Sequence, residues 1–527
     1  MKHFQRPSRS AAVASEAMAA TSHPLATTTA VGVLRDGGNA VDAAIAAAAV
    51  LCLAEPHMTG IGGDCFVLYS PRGGPPRALN GSGRAPTAAS LDWYLERGFR
   101  EIPERSAHAV TVPGAVDAWF RLLADYGTRE MEALLQPAIR LAEEGCQVAP
   151  RVAYDFTEAC AQIADDPLAA NMFLRDGVPL GPGDQIYQPR LAATFRRIAK
   201  EGRRGFYEGP IAEDMVLRLR ALGCLHTFED FALQQSSYEA PISVTYAGHD
   251  VYECPPNGQG IVALMMLKTL AAFDLFDPKQ TDADRIHVLA EVTKAAYNTR
   301  DAYFCDPAAS PFDVSRYLSD EYADQTRAGL DLRRSSAALV LDEVEHKDTI
   351  YLAVVDRDGN AISFINSLFA EFGSGIMAPN SGVLFHSRGS SFRVVQDHPN
   401  AIGPRKRPLH TIIPGMLVKN GRAVMPFGVM GGHYQATGHA HFLARLLTGD
   451  LDPQAAAEAP RSFAHGGRLQ LEPTIGSETA ADLERRGHKT VWTTKPLGGC
   501  QAIQIDSERG CLIGGSDPRK DGMACGY

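Results

Sequence analysis

Residues 349–367 read Thr349-Ile350-Tyr351-Leu352-Ala353-Val354-Val355-Asp356-Arg357-Asp358-Gly359-Asn360-Ala361-Ile362-Ser363-Phe364-Ile365-Asn366-Ser367. Two apolar runs, rich in β-branched residues, flank Asp358-Gly359. That dipeptide suits a tight turn because glycine tolerates positive φ. The pattern therefore predicts a β-hairpin whose first strand opens at Thr349 and whose second strand ends at Ser367.

The residues before this hairpin, Asp342 to Lys347, are polar and mostly acidic, as in a surface linker. A cut at the Asp348–Thr349 peptide bond would give Thr349 a free α-amine. Such an amine serves as base for the threonine's own hydroxyl in N-terminal-nucleophile catalysis. The alternative is a plain hairpin, since threonine is common in strands. This segment alone leaves both interpretations open.

Composition narrows the class of protein. The chain has 527 residues, 45% hydrophobic and 21% charged, as in soluble globular proteins. Its net charge of −10 argues against nucleic acid as a partner, because no basic excess exists to neutralise phosphates. The longest apolar run, Ala43 to Ala54, is too short to span a bilayer and predicts a buried helix.

Targeting and metal signals are missing from the sequence. The polar, basic start from Met1 to Ser10 is followed by an Ala-rich stretch that Glu16 and His23 interrupt, so it lacks a secretory core. The ten cysteines are scattered without paired spacing, which suggests neither a zinc site nor a disulfide framework. We expect a cytoplasmic protein with free thiols, no metal, no cofactor and no membrane partner.

Several glycine-rich segments occur in the N-terminal part of the chain, before the Thr349 hairpin. Gly37 to Asp42 precedes an alanine helix that reaches about Ala54, and its small side chains imply close packing on a sheet. Gly60-Ile61-Gly62-Gly63 precedes a strand, the wrong order for a phosphate-binding loop. In the loop Gly81 to Pro86, Arg84 either binds an anion or is a solvated surface charge. From Val112 to about Gly329 the spacing predicts a helix-rich layer with interspersed strands.

Beyond the hairpin, residues 381–386 resemble another strand, and further strands are expected through Val418 and over 423–427. Gly431 and Gly432 follow, just before a helix that reaches about Leu447. Two glycines at a strand-to-helix turn expose backbone N–H groups in the manner of an oxyanion hole. The alternative is a tight turn that needs positive φ.

Taken together, these motifs resemble the γ-glutamyltranspeptidase family of self-cleaving N-terminal-nucleophile hydrolases, over nearly the whole chain. The motifs are Gly37 to Ala44, Gly60 to Gly63, the Thr349 hairpin, Phe372-Gly373-Ser374-Gly375, Gly431-Gly432 and Ala459-Pro460-Arg461. The resemblance implies an α/β fold, a four-layer αββα sandwich. It also implies a precursor cut into a large subunit (1–348) and a small subunit (349–527) that share one intertwined domain.

The resemblance also implies roles for residues. Thr349 would be the cleavage site, together with Asp348, and the nucleophile. Ser367 would support the freed amine, and Gly431 and Gly432 would form the oxyanion hole. Attack on an amide carbonyl would give an acyl ester on Thr349, followed by hydrolysis or transfer.

The substrate pocket departs from the γ-glutamyl pattern. Ser82 stands where the family has a carboxylate-binding arginine, and Arg84 lies two residues further on. His410 and Thr411 replace two serines. Three family residues that hold the substrate's α-amine align with Phe369, Arg388 and Ser391.

Arg388 accepts no hydrogen bond and would repel an ammonium group. A small acid without an α-amine therefore fits better, with its carboxylate on Arg388. The best candidate is oxamate, because the loop segments resemble the family branch that holds oxamate amidohydrolase, an enzyme of purine nitrogen salvage. Two alternatives stay open, a γ-glutamyl peptide hydrolase or transpeptidase and an inactive member with a binding role. His410 either orients substrate or is a core histidine, and His433 is expected to serve packing or polarity at the helix start.

Overall fold

The structure is a computed structural model that describes residues 8–336 and 349–527. Its strands are β1 (Ala12–Ala14), β2 (Met18–Thr21), β3 (Asp64–Ser70), β4 (Arg77–Gly81), β5 (Cys146–Gln147), β6 (Leu174–Arg175), β7 (Val178–Pro179), β8 (Gln185–Ile186), β9 (Ser237–Glu239), β10 (Ile242–Tyr246), β11 (His249–Glu253), β12 (Ile350–Val355), β13 (Ala361–Ser367), β14 (Gly415–Lys419), β15 (Arg422–Met430), β16 (Ser462–His465), β17 (Arg468–Leu471), β18 (Thr490–Trp492), β19 (Gly499–Asp506), β20 (Cys511–Ser516) and β21 (Met523–Gly526).

The α-helices of the same residues are α1 (Pro24–Arg35), α2 (Ala40–Ala54), α3 (Leu91–Glu96), α4 (Ala115–Tyr126), α5 (Met131–Glu144), α6 (Pro150–Ala159), α7 (Pro167–Phe173), α8 (Pro189–Glu201), α9 (Arg204–Tyr207), α10 (Pro210–Ala221), α11 (Phe228–Ala232), α12 (Gly260–Leu270), α13 (Asp282–Tyr303), α14 (Val314–Tyr317), α15 (Asp320–Ala328), α16 (Gln435–Leu447), α17 (Pro453–Glu458) and α18 (Ser477–Arg485).

Two seven-stranded antiparallel sheets form the centre of the molecule. The first has the order β1-β20-β19-β15-β14-β11-β10, and the second β21-β2-β12-β13-β3-β4-β9. The predicted hairpin is the middle of the second sheet. Its strands β12 and β13 pair from Ile350↔Asn366 to Val355↔Ala361. The second sheet therefore interleaves strands from both sides of residue 349.

Helices cover the outer face of each sheet. Strands β12 and β13 contact β15 across the interface between the sheets, while α2 packs on β12 and β13, and α12 and α16 pack on the first sheet. Every residue of α2 is buried, and this agrees with the alanine-rich sequence, since small side chains let a helix approach a sheet closely. The expected four-layer αββα sandwich is confirmed.

The turn of the hairpin also follows the prediction. Gly359 has φ of 78°, and the Asp356 carboxylate accepts hydrogen bonds from the backbone N–H groups of Asp358 and Asn360, both at 3.0 Å. The second oxygen of Asp356 accepts the N–H of Ala40 at 2.8 Å, at the first turn of α2. The turn thereby fixes the helix to the hairpin.

One predicted strand is wrong. Residues 381–386 form an irregular segment whose ladder pairing is limited to one β-bridge, Met377↔Leu384. Gly382 has φ of 70°, which is incompatible with a strand, and the N–H of His386 donates to the carbonyl of Gly62 in another loop. The strand expected over 423–427 continues to Met430.

Asp348 lies outside the described residues. No helix in the described ranges has the length and apolarity needed to cross a membrane.

Candidate active site

Thr349 and Ser367 lie opposite each other where the hairpin strands begin and end. Both side chains are buried, and their hydroxyl oxygens are 2.9 Å apart. Ser367 Oγ also accepts the backbone N–H of Phe369 at 2.8 Å. Because that N–H uses one lone pair of the serine, the hydroxyl proton of Ser367 is free to point at Thr349. The pair is thus shielded from bulk solvent, and nearby groups of the protein are positioned to activate its hydroxyls.

The beginning of β12 meets the end of β15 between the two sheets. The ring of Tyr351, two residues after Thr349, packs on Gly428, where a Cβ atom would lie 2.4 Å from the ring. Only glycine allows this approach. Three residues after Gly428 the chain reaches Gly431. The sheet packing thus carries the predicted glycine pair toward the end of the hairpin that holds Thr349.

The glycine pair has the backbone that its sequence predicted. Gly431 and Gly432 have φ of 126° and 57°, and a Cβ atom on Gly431 would lie 2.9 Å from Cα of Gly498. Gly432 begins a short 3-10 turn that leads directly into α16. N–H groups in this position lie at a helix N-terminus, which favours negative charge.

Gln259, in the loop before α12, braces this turn. Its amide nitrogen donates to the carbonyl of Gly432 at 3.0 Å and to that of Thr411 at 2.9 Å. Its amide oxygen accepts from Arg300 at 2.9 Å. The same guanidinium nitrogen contacts His433 Nδ1 at 2.9 Å. One buried amide therefore ties the glycine turn to Thr411 and to α13.

We expect Gln259→Leu to lower kcat about 10- to 100-fold while KM changes little, because loss of the brace loosens the oxyanion donors and leaves two carbonyls unpaired. Steady-state kinetics of the processed protein measure this split. Gln259→Glu is the matched variant: it can still accept from Arg300 but cannot donate to Gly432 or Thr411, so it should resemble Gln259→Leu. A variant that changes only KM would contradict this role.

Arg388 is a fully buried cation of the site. Its side chain is buried, and its guanidinium lies 3.5 Å above the centre of the Phe369 ring. It donates to Thr411 Oγ1 at 2.8 Å and to Ser391 Oγ at 3.3 Å. Within the described ranges its Nε has no hydrogen-bond partner and no carboxylate forms an ion pair with it.

Burial lowers the pKa of Arg388 to about 9, although the negative charges of Asp64 and Glu104 act in the opposite direction. A buried charge without a counter-ion is costly, and such groups are usually paired. Phe369, which covers this guanidinium, is a non-glycine residue with φ of 78°. Strained backbone of this kind is concentrated at functional sites.

A cavity of about 100 Å³ opens beside these residues. Its walls include Phe369, Ser391 and Thr411 from the predicted set, and Arg300 and Arg393. The other residues that form the walls are Asp301, Phe304, Ser390, His398, Asn400, Leu409, His433 and His465. The charge of Arg300 is neutralised by its 2.7 Å ion pair with Asp301. The charges of Arg393, on the wall, and Arg388, behind it, therefore give this side of the cavity a net positive charge.

Contacts join most of the predicted residues into one cluster. They run from Thr349 to Ser367 and Phe369, then through Arg388 to Thr411. Gln259 donates to the carbonyls of both Thr411 and Gly432 and so connects these residues to the glycine turn. The structure thus brings the expected nucleophile, the expected oxyanion turn and four of the expected pocket residues together, the four being Phe369, Arg388, Ser391 and Thr411.

His410 has both ring nitrogens engaged within the protein. Nδ1 accepts the N–H of Ile412 at 3.4 Å, so Nε2 carries the proton and donates it to Asp64 at 3.0 Å. Burial lowers the pKa of His410 to about 3, with a further contribution from Arg388. Of the two interpretations of the sequence, this geometry favours the core histidine.

Ser82 and Arg84 lie apart from the cavity wall. Ser82 Oγ accepts from Asn257 at 3.1 Å, and Arg84 donates to the carbonyl of Arg405 at 3.0 Å, with Asp306 at 3.9 Å. Arg84 thus pairs with groups of the protein, and the direct contact with substrate expected of these two residues has no support in the geometry. Asp64 holds their loop by accepting the N–H of Gly83 at 2.9 Å.

Sequence reasoning missed Gln259, Arg300, Asp301 and Arg393, and assigned His433 to packing or to polarity at the helix start. Gln259 lies in a Pro- and Gly-rich loop, where its one distinctive signal is a polar side chain between glycines. Arg300 and Asp301 lie within a helical pattern that gives no sign of a site. His433 forms part of the cavity wall, and its ring stacks on His465 at 5.5 Å.

The chain is similar to known proteins over nearly its whole length. The family model described as Gamma-glutamyltranspeptidase matches residues 26–527. The chain is 36% identical to the glutathione hydrolase-like YwrD proenzyme of Bacillus subtilis (strain 168), over 98% of this chain and 99% of the other. It is 32% identical to the oxamate amidohydrolase proenzyme of Klebsiella pneumoniae, again over 98% and 99%.

Among solved structures, the cephalosporin acylase from Bacillus halodurans superposes with a TM-score of 0.93 and 37% identity, over 100% of this chain and 99% of the acylase. The proteins found are hydrolases of amide-type C–N bonds, and several are proenzymes. This chain is therefore an enzyme of that class and belongs to the γ-glutamyltranspeptidase family.

Proposed function

We propose that the protein cuts its own chain between Asp348 and Thr349 and then uses Thr349 to hydrolyse a small amide that carries a carboxylate, with oxamate as the best candidate. The products of oxamate would be oxalate and ammonia. The observation that carries the substrate is Arg388, a buried guanidinium with no carboxylate partner in the described part of the chain.

The proposed chemistry uses the cluster in a fixed order. The freed α-amine of Thr349 takes the proton of its hydroxyl, the oxygen attacks the amide carbonyl, and the N–H groups of Gly431 and Gly432 hold the oxyanion. The amine then returns the proton to the leaving nitrogen, and ammonia departs. Water hydrolyses the ester on Thr349 by the same proton transfers. Ser367, hydrogen-bonded to Thr349, keeps that oxygen in place.

The substrate class follows from charge and size. A carboxylate next to the scissile carbonyl would supply the counter-ion that Arg388 lacks, and hydrogen bonds to charged groups are among the stronger ones in proteins. The cavity of about 100 Å³ has room for a short acyl group, and its wall residues Phe369 and Thr411 are the ones that contact Arg388. The Klebsiella relative named for oxamate supports the same choice.

A γ-glutamyl compound is the second candidate, and one observation favours it. Asp301 forms part of the cavity wall, and its Oδ2 has no hydrogen-bond partner among the described residues. A carboxylate of this kind suits the α-amine of a γ-glutamyl group. The third candidate, an inactive binding protein, predicts a chain that stays uncut.

The deciding experiment is ammonia release by processed protein, with oxamate, glutathione and a γ-glutamyl anilide in parallel. We expect oxamate to be turned over with the highest kcat/KM. Acetamide is the control amide of similar size without a carboxylate, and it should be turned over poorly. Turnover of the γ-glutamyl compounds alone would reverse the ranking.

The protonation state of Arg388 should affect the pH dependence of kcat/KM for this reaction. The protonated guanidinium is the form that binds a carboxylate, so kcat/KM for an anionic amide should fall above pH 9, about tenfold per pH unit. Below pH 9 this group causes no change. Bound carboxylate favours the protonated form, so kcat should stay level over the same range. A neutral amide that loses kcat/KM in parallel would contradict the assignment.

We also propose that both pieces remain in one molecule in the cytoplasm. Strands from both sides of residue 349 are interleaved in the second sheet, and all ten cysteines are free, in keeping with a reducing compartment. Light scattering of the processed protein measures whether the two-piece unit assembles further.

A further inference from the structure

A cluster of histidine and carboxylate side chains lies on α13, outside the candidate active site. His287 and Glu291 are one helical turn apart on this helix, and His488 comes from the connection between α18 and β18. All three are buried. One ligand atom from each, two imidazole nitrogens and a carboxylate oxygen, lie within 4.8 Å of one another, and this is the one such group among residues 8–336 and 349–527.

The hydrogen bonds fix the protons of both rings. His287 Nε2 lies 2.9 Å from the carbonyl of Asp331, which can only accept, so Nε2 carries the proton and Nδ1 has a free lone pair. That lone pair faces His488 Nε2 at 2.8 Å, so Nε2 of His488 carries a proton and donates it to His287. A histidine whose second nitrogen donates to a carbonyl is the usual arrangement of a metal ligand.

The carboxylate of the cluster is held from outside as well. Glu291 Oε2 accepts the N–H of Ser336 at 3.0 Å, and Oε1 pairs with Lys294 at 2.6 Å. Lys294 has two further acceptors, Ser335 Oγ at 2.7 Å and the carbonyl of Ser336 at 3.0 Å. The lysine can therefore release Glu291 and keep hydrogen-bond partners.

We propose that His287, Glu291 and His488 form a three-ligand site for a divalent transition metal, zinc above all. Two imidazoles and a carboxylate are a common zinc ligand set, with water in the fourth position. At Zn–N distances of about 2.0–2.1 Å, tetrahedral ligand atoms lie about 3.4 Å apart, so the two rings must separate by about 0.6 Å from their hydrogen-bonded distance.

Metal binding requires a defined exchange of protons and partners. His488 shifts its ring proton from Nε2 to Nδ1, so that Nε2 can bind the metal and no proton is lost. Lys294 moves from Glu291 to its serine partners.

The site would join the two parts of the processed protein. His287 and Glu291 precede residue 349, and His488 follows it. The link between two separate pieces rests on the proposed cleavage, whereas metal binding does not. An experiment can therefore disprove one of these claims without affecting the other.

The test is metal content of the processed wild-type protein after treatment with EDTA, incubation with Zn²⁺ and gel filtration. We expect one zinc per chain, and an upward shift of the thermal midpoint of about 2–3 °C at 100 times the dissociation constant. His488→Asn and Glu291→Gln should weaken zinc binding at least about tenfold. His249→Asn, at the start of β11, is the matched control and should bind as wild type.

Cobalt gives a second measurement that needs no variant. Co²⁺ bound to wild type should show the visible absorption of a four-coordinate ion without a thiolate charge-transfer band, since no cysteine belongs to the site. Failure of wild type to retain zinc or cobalt, or equal retention by wild type and His488→Asn, would overturn the proposal. The cluster would then be a set of hydrogen bonds that only joins helix α13 to its neighbours.

Discussion

Thr349→Ala should leave the chain in one piece of 56.7 kDa with no measurable amide hydrolysis. Wild type should give two pieces of about 37 and 19 kDa, in proportion to chain length on either side of the cut. In the proposed mechanism one hydroxyl serves both steps: it attacks the peptide bond before it, and the freed amine then activates it against substrate. We expect a loss of at least about 1000-fold in kcat, as for other lost nucleophiles. Denaturing electrophoresis and ammonia release measure the two effects.

Two variants control this prediction. Thr349→Ser keeps a hydroxyl and should still process and hydrolyse, at a reduced rate. Ser367→Ala removes the 2.9 Å contact with Thr349 and should slow both steps without abolishing them. An uncut wild-type chain that hydrolyses amides would rule out Thr349 as an N-terminal nucleophile.

Arg388→Gln should lower kcat/KM for oxamate about 100-fold, because a hydrogen-bonded charge pair is worth about 1.5–3 kcal/mol. The effect should be absent for acetamide, which has no carboxylate to bind. Comparing the two substrates separates lost recognition from general damage to the site. The variant should still cut itself, and electrophoresis then shows that the protein has folded.

Arg393→Gln is the matched control for Arg388→Gln. Arg393 is part of the cavity wall but only half-buried, so water screens its charge, and we expect a change of about threefold. Equal losses for oxamate and acetamide in Arg388→Gln would show that the guanidinium supports the structure of the site rather than the carboxylate of the substrate.

Local patterns predicted the centre of the fold. The hairpin from Thr349 to Ser367 and the turn at Gly431 were predictable because strand alternation, β-branching and positive-φ glycines are short-range signals. Residues 381–386 have a strand-like composition, yet the N–H groups of Ser381 and His386 donate to Asp214 and Gly62, which are far away in sequence. Tertiary contacts override propensity there.

The pocket was only partly predictable. Arg388, Phe369 and Thr411 were found by resemblance, whereas Gln259 and Asp301 were not, because their roles depend on contacts between segments far apart in sequence. For Arg84 the sequence left two interpretations open, an anion-binding residue or a surface charge, and in the structure its guanidinium donates to the carbonyl of Arg405 and lies 3.9 Å from Asp306. Sequence spacing cannot distinguish an arginine that binds a ligand from one that binds the protein itself.

The alternation of strands in the second sheet has a consequence for the life of the mature molecule. Strands β12, β13 and β21 come from one side of residue 349, and β2, β3, β4 and β9 from the other. While the chain is continuous, its two halves stay at a high effective concentration, and unfolding is unimolecular. Once the tether is cut, unfolding releases two molecules. The thermal midpoint of the mature form should then fall on dilution, whereas that of Thr349→Ala should not. After maturation, denaturation is also a dissociation of two chains, and dilution favours dissociation.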